Sequence, residues 1–243
     1  DEVNIISTTG DHVVYLGENN DEAYLIANSG DIQVFGESGN DYIYAQNSGS
    51  DTLDGGNDDD WIEIENGSVG NKTLIGGFGD DEIHVHDASG IAGAAILPNT
   101  RVTVSGGEGE DYVHYERGLF ITDANDGGTD GDFLDIEGQT ILTLRDKSIE
   151  NFETVAFSAY SDTVTFADGN VASGANLVVF AGEGEDYIDG SRETNGTFEM
   201  FGGFGYDTLI GGAKNDTIDG GEGEDLLAGG AGKDQFVNDL NWN

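Results

Sequence analysis

Apolar side chains recur at alternate positions in short runs along this chain. In "DYIYAQ" (41–46), "DWIEIE" (60–65), "DEIHVH" (81–86) and "DYVHYE" (111–116), an Ile or Val stands two places after an Asp. A period of two over so short a run marks a strand with one face buried. Between the strands stand glycine-rich hexads. Five read G-G-x-G-x-D strictly: "GGFGDD" (76–81), "GGEGED" (106–111), "GGFGYD" (202–207), "GGEGED" (220–225) and "GGAGKD" (229–234). Five more depart at one or two positions: "GESGND" (36–41), "GGNDDD" (55–60), "GGTDGD" (127–132), "AGEGED" (181–186) and "GGAKND" (211–216). Two places after the Asp of these hexads come Ile43, Ile62, Ile83, Val113, Leu134, Ile188, Leu209, Ile218, Leu227 and Phe236. One turn and one strand make a unit of nine residues in the C-terminal part and of about ten near the N-terminus, so two units make a flattened coil. Such internal repetition predicts a solenoid.

Glycine in the hexad permits backbone angles closed to other residues and lets neighbouring chain approach. A turn so curled can aim several carbonyls at one point, and the Asp adds charged oxygens. Oxygen ligands of this kind suit a hard divalent cation such as Ca²⁺.

Composition strengthens that reading. The 243 residues carry 49 acids against 8 bases, a formal charge of −41, with 40 Gly and 36% hydrophobic residues. A chain this acidic and glycine-rich would ordinarily stay disordered, yet 12 Phe, 9 Tyr and many aliphatic residues are spread through it. Cations must offset the carboxylates before those side chains can be buried. Eight bases do not make a phosphate-binding surface, so nucleic acid is not an expected partner. An anionic membrane surface repels the chain, and no run of 18 apolar residues suggests a membrane-spanning helix. With no Cys there are no disulfides. The chain starts at Asp1 rather than Met, which suggests a section of a longer protein.

The hexads and the apolar position after them resemble the nonapeptide G-G-x-G-x-D-x-U-x of the RTX (repeats-in-toxin) family, a Ca²⁺-binding repeat. The resemblance implies an all-β, right-handed parallel β-roll with Ca²⁺ held between adjacent coils by Asp carboxylates and backbone carbonyls. The implied metal ligands are Asp41, Asp60, Asp81, Asp111, Asp132, Asp186, Asp207, Asp216, Asp225 and Asp234, with Asp11, Asp21, Asp31 and Asp51 as weaker candidates. Asp207 and Asp225 would share one ion, Asp216 and Asp234 another. Residues 1–243 read as one solenoid: regular coils over 1–85, coils with loops over 86–180, and regular repeats over 181–243. Segments 86–99 and 115–126 read as loops. In the least regular part, "SDTVTF" at Asp162 still scans as a half-coil.

Sorting the half-coils by edge places Asp21, Asp41, Asp60, Asp81, Asp111, Asp132, Asp186, Asp207 and Asp225 together. The opposite edge receives Asp11, Asp31 and Asp51, then Lys72, Thr100 and Thr197 where an Asp would stand, and finally Asp216 and Asp234. Replacing Lys72 is expected to matter little.

Tyr42, Trp61, Tyr112, Phe133 and Tyr187 directly follow an Asp and should point outward in a broken ladder. Either they stabilise the sheet across strands, or they form a contact face for a partner domain, a second subunit or a polysaccharide. His84 and His86 share an outward face with Glu82, and His114 takes the repeat position of His84; this is either a transition-metal site or ordinary outward polarity. No G-x-S-x-G, H-E-x-x-H or Cys nucleophile is present, so catalysis is not expected. The implied role is a secreted calcium-binding structural module of a cell-surface layer, adhesin or matrix protein, calcium being the partner and self-association or surface polysaccharide a further one. The alternative is an accessory module of a secreted enzyme or toxin.

Overall fold

The computed structural model describes residues 1–65, 68, 70–86, 101–116, 125–145 and 148–237. It is all-β: the described residues form strands joined by turns, with no helix. The chain divides into two compact units, Asp1–Asp132 and Phe133–Asn243.

In the first unit, short strands β1 (Glu2–Ile6), β3 (Glu22–Ile26), β5 (Tyr42–Gln46), β7 (Trp61–Ile64), β9 (Glu82–Val85) and β11 (Tyr112–Tyr115) stack in that order as one wall. Longer strands β2 (His12–Glu18), β4 (Ile32–Ser38), β6 (Asp51–Asn57), β8 (Lys72–Phe78), β10 (Val102–Glu108) and β12 (Asn125–Thr129) form the second. Pairing is parallel between successive coils, for example Ile43 beside Ile62 and Ile62 beside Ile83. Parallel pairing of strands two apart in sequence makes this unit a β-solenoid. The alternation seen in the sequence is realised: Ile43, Ile62, Ile83 and Val113 are fully buried, as are Leu53 and Leu74 of the other wall. Each such residue contributes roughly 1.5–3 kcal/mol by leaving water.

In the second unit, β13 (Phe133–Ile136), β16 (Thr154–Ala156), β18 (Asn176–Glu183), β20 (Thr197–Phe204), β22 (Thr217–Asp219) and β24 (Gln235–Val237) form one ladder. A second contains β14 (Ile141–Leu144), β17 (Thr163–Phe166), β19 (Tyr187–Asp189), β21 (Thr208–Ile210) and β23 (Leu226–Ala228). Leu134, Ile188, Leu209 and Ile218 are fully buried, while Phe236 in the last strand is 48% exposed.

The edge assignment made by counting half-coils needs two corrections. The strand after Asp132, β13, belongs to the ladder entered by Asp216 and Asp234, whereas Asp186, Asp207 and Asp225 enter β19, β21 and β23 of the other ladder. The cause lies between β13 and β16, where β14 and the two-residue β15 (Ile149–Glu150) give one coil three strands instead of two. One extra strand reverses the parity of every later half-coil. The second correction concerns Asp51, which pairs in register with Lys72 and, through Gln33–Thr52, is level with Ile32 rather than Asp31. The coil from β4 to β6 is 19 residues long, against 20 from β2 to β4.

The loop expected over 86–99 lies outside the described residues except for His86, and Thr100 lies outside them too. Of the loop expected over 115–126, Tyr115 closes β11 and Asn125 and Asp126 open β12, while 117–124 lie outside the described residues.

Candidate metal centre

Asp41, Asp60, Asp81, Asp111, Asp186, Asp207, Asp216 and Asp234 each stand at the end of a hexad, just before a strand, and this position fixes the carboxylate. Its Oδ1 accepts the backbone N–H of the equivalent residue one coil earlier. In the first unit the chain of bonds runs from Asp21 N to Asp41 (2.8 Å), Asp41 N to Asp60 (2.7 Å), Asp60 N to Asp81 (2.8 Å), Asp81 N to Asp111 (2.9 Å) and Asp111 N to Asp132 (2.9 Å). In the second unit it runs from Asp162 N to Asp186 (2.7 Å), Asp186 N to Asp207 (2.9 Å) and Asp207 N to Asp225 (3.0 Å). On the other ladder Phe198 N donates to Asp216 (2.8 Å) and Asp216 N to Asp234 (3.1 Å). The residue pairs expected to share an ion, Asp207 with Asp225 and Asp216 with Asp234, are thus neighbours.

The second oxygen is different. Oδ2 of Asp21, Asp41, Asp60, Asp81, Asp111, Asp186 and Asp207 is buried with no hydrogen-bond donor. A buried carboxylate oxygen left in this state is costly. Burial accordingly pushes the Asp60 carboxyl up to about 8, Asp81 and Asp186 to about 7, and Asp41 and Asp111 to about 6, against the backbone N–H bonds that pull them down. Asp162, Asp207 and Asp216 are raised by burial as well.

These Oδ2 atoms face other oxygens. A Cβ placed on Gly76 would collide with Asp81 Oδ2 and approach the carbonyl oxygen of Gly106 one coil on; one on Gly106 would meet Asp111 Oδ2 and Gly127 O. Gly202, with Asp207 and Gly220, repeats the arrangement in the second unit. Carboxylate and carbonyl oxygens thus converge where only glycine leaves room. An oxygen-only cradle without a protein donor fits a hard divalent cation. Among the described residues, no three His, Asp or Glu side chains form a group able to hold a metal by themselves. The candidate sites therefore combine few carboxylates with main-chain carbonyls.

Other sequence candidates are placed differently. Asp11 and Asp31 are exposed, and the bond between them runs in the opposite sense, Asp31 N donating to Asp11 Oδ1 at 3.0 Å. Asp225 and Asp234 are half-buried. Asp216 Oδ2 accepts the N–H of Gly212 at 2.7 Å. Asp162, fully buried and held by Ser158 through its backbone and hydroxyl, begins the Asp186 series. Its "SDTVTF" context carried the signal for that place.

Asp51 is bound to Lys72, whose side chain is buried: Nζ lies 2.6 Å from Asp51 Oδ2 and 2.9 Å from Asn47 Oδ1. Against the expectation that Lys72 could be replaced at little cost stands this buried ion pair, since removing one partner would leave the other uncompensated. Sequence reasoning also missed Glu193, which is fully buried and accepts backbone N–H groups from Gly169, Val171, Thr194 and Asn195. No repeat motif marks it.

Tyr42 and Trp61 are register neighbours, but Glu82 comes between Trp61 and Tyr112. The rings pack on their own sheet. Trp61 stacks on His84 with ring centres 4.3 Å apart, and the Tyr42 hydroxyl donates to Glu63 at 2.7 Å. Tyr187 lies on β19, in a different ladder from Phe133 on β13, so the five residues do not form one row. His86 has Glu63 3.2 Å from one ring nitrogen and Glu116 3.0 Å from the other, while His84 meets Glu82 at 3.3 Å.

No curated protein matches the chain. The model of the RTX calcium-binding nonapeptide repeat matches four stretches, residues 19–46, 47–63, 66–87 and 201–236. These include Asp41, Asp60, Asp81 and Asp207 with their buried oxygens. With RTX nonapeptides matched in four places and parallel β-solenoid coils carrying them, the chain fits the RTX β-roll family, whose repeats imply a calcium-binding module.

Proposed function

We propose that this module is extracellular and structural, part of a cell-surface layer, adhesin or matrix protein, and that it folds where calcium is plentiful. The buried Oδ2 atoms without donors carry the calcium dependence. A carboxyl whose Oδ2 is buried without a donor needs either a proton or a cation, and the positions of these groups between coils make that need a condition for stacking. Calcium, when bound there, supplies the positive charge that the fold withholds. The chain's own residues do the rest. Asp Oδ1 atoms set the register through the preceding coil's N–H groups, hexad carbonyls line the cradle, and the inward Ile, Leu and Val exclude water. With a formal charge of −41, the uncompensated chain repels itself. Extracellular modules commonly bind calcium with dissociation constants of about 10⁻⁴–10⁻³ M, so the low calcium of a cell interior would leave this one unfolded before export.

A calcium titration of chelated protein by far-UV circular dichroism tests this, with magnesium as control. A cooperative coil-to-β transition near millimolar calcium, absent with magnesium, is expected. A β spectrum indifferent to chelation would refute calcium-dependent folding. Light scattering during the same titration addresses the surface-layer role: self-association is expected, and a persistent monomer would favour the accessory-module reading instead.

A further inference from the structure

We propose that the Lys72 ammonium is a built-in counter-ion occupying a cation pocket of the first unit, so that β6 and β8 are held together there without a metal ion. Lys72 is 1% exposed. Its Nζ donates to Asp51 Oδ2 at 2.6 Å, to Asn47 Oδ1 at 2.9 Å and to the carbonyl oxygen of Gly49. A carboxylate, an amide carbonyl and a peptide carbonyl are the ligand types a hard cation takes, and an ammonium carries three donors to meet such oxygens. Asp51 is complete as a result: Oδ1 accepts the N–H of Ile32 at 2.9 Å and Oδ2 accepts Lys72. Asp60, less than ten residues later in the same hexad rhythm, has an Oδ2 with no donor. The neighbours in register at this position are Ile32 and Val102, so the ion pair is confined to one coil interface.

This inference rests on the calcium reading only for what the lysine replaces. The clamp itself is a property of one ammonium and the oxygens around it, and it can be measured with calcium absent where osmolyte keeps the chain folded.

The test is hydrogen exchange by mass spectrometry on the full chain in chelator, following peptides over 47–57 and 71–78 at the lowest temperature and highest osmolyte that keep them protected. Lys72→Met retains length and apolar volume but loses the charge, and exchange there should accelerate on the order of a hundredfold. The double variant Asp51→Asn, Lys72→Met removes both charges and should recover most of that loss. In Lys72→Ala, where the pocket is opened rather than filled, equilibrium dialysis should count one more bound calcium than in the parent chain. Unchanged exchange in Lys72→Met, or a double variant no better than the single, would overturn the counter-ion role; an unaltered calcium count in Lys72→Ala would overturn the cation pocket. If the calcium reading itself is wrong, exchange around Asp207 in the parent chain will ignore calcium, while the Lys72 comparison in chelator keeps its outcome.

Discussion

Two consecutive hexads, "GGFGYD" (202–207) and "GGAKND" (211–216), end in Asp residues that are both 1% exposed, yet they solve the problem of a buried carboxylate differently. In the first, Gly203 and Gly205 take φ of +98° and +146°, and Asp207 Oδ2 has no donor. In the second, neither Gly212 nor Lys214 has positive φ, and the Gly212 N–H closes on Asp216 Oδ2 at 2.7 Å. The coil at Asp162 follows the second pattern, with Ser158 in the place of Gly212 and Tyr160 in the place of Lys214, again without positive φ. A left-handed fourth position thus accompanies a carboxylate left open for an external cation. A side chain that disfavours that conformation accompanies one closed by its own loop.

The largest expected effect is a reversal of sign. Asp207→Asn removes the charge that calcium meets, so in calcium the folding midpoint should rise tenfold or more, about 1.4 kcal/mol for each factor of ten. In chelator the same change removes a desolvated carboxylate, and the variant should be more stable than its parent by about 1–3 kcal/mol. Asp216→Asn should show a much smaller difference between the two conditions. Urea denaturation of both variants, in calcium and in chelator with enough osmolyte to fold the parent chain, measures this. Equal calcium dependence at the two positions would break the comparison.

The sequence made much of this site legible, and the reason is local. Hexad and apolar position lie within nine residues, so Asp41, Asp60, Asp81, Asp111, Asp186 and Asp207 could be placed before strands whose Ile, Val or Leu turned out buried. The partners of a half-coil are not local. Alternation tells which face is inward but not how many strands a coil contains, and β14 with β15 scan like any other alternating run. That is why the ladder of Asp132 was carried to Asp186 rather than to Asp216. Lys72 shows the same limit. Its charge was noticed at the right place, but its burial depends on Asn47 and Gly49, which no motif singles out.

The next effect is pH-dependent. With calcium removed, burial holds the Asp186 carboxyl up to about 7 and Asp60 up to about 8. Their ordinary value is about 3.9. The folded chain therefore keeps protons that the unfolded chain has released. Stability from this source is fully present below about pH 4 and is lost as pH rises through about 7 for Asp186 and about 8 for Asp60. Thermal melts in chelator, with enough osmolyte to fold the chain, should rise in temperature as pH falls from about 8 to 5, before net charge is considered. In calcium the same acidification should weaken ion binding, since protons compete for the open oxygens. Asp216 shifts upward too, with burial outweighing the N–H groups of Phe198 and Gly212, so acid alone will not separate the two kinds of coil.

Ser158→Ala sharpens the comparison in the 157–162 loop, which has no glycine. It deletes the hydroxyl beside Asp162 and keeps the backbone donor, so a loss of about 1 kcal/mol is expected in chelator. If calcium recovers part of that loss, the carboxylate has been partly reopened. A loss of the same size in calcium would show that the hydroxyl's bond to Gly138 O, at 3.1 Å, is what matters.

The smallest and most direct change is Lys214→Gly, which restores the strict hexad at 211–216. Lys214 is exposed, so little packing is lost. Glycine should cost about 0.4–1 kcal/mol in chelator, because the unfolded chain gains freedom. What it offers in return is access to the left-handed conformation that Gly205 already uses. If that residue controls the choice, the loop can turn the Gly212 N–H away and open Asp216 Oδ2. Calcium should then stabilise the variant more than the parent, recovering the chelator loss at saturating ion. A variant weakened equally in chelator and calcium would mean that the fourth position only accompanies the switch, and that the Gly212 N–H, held by packing elsewhere in the coil, decides it.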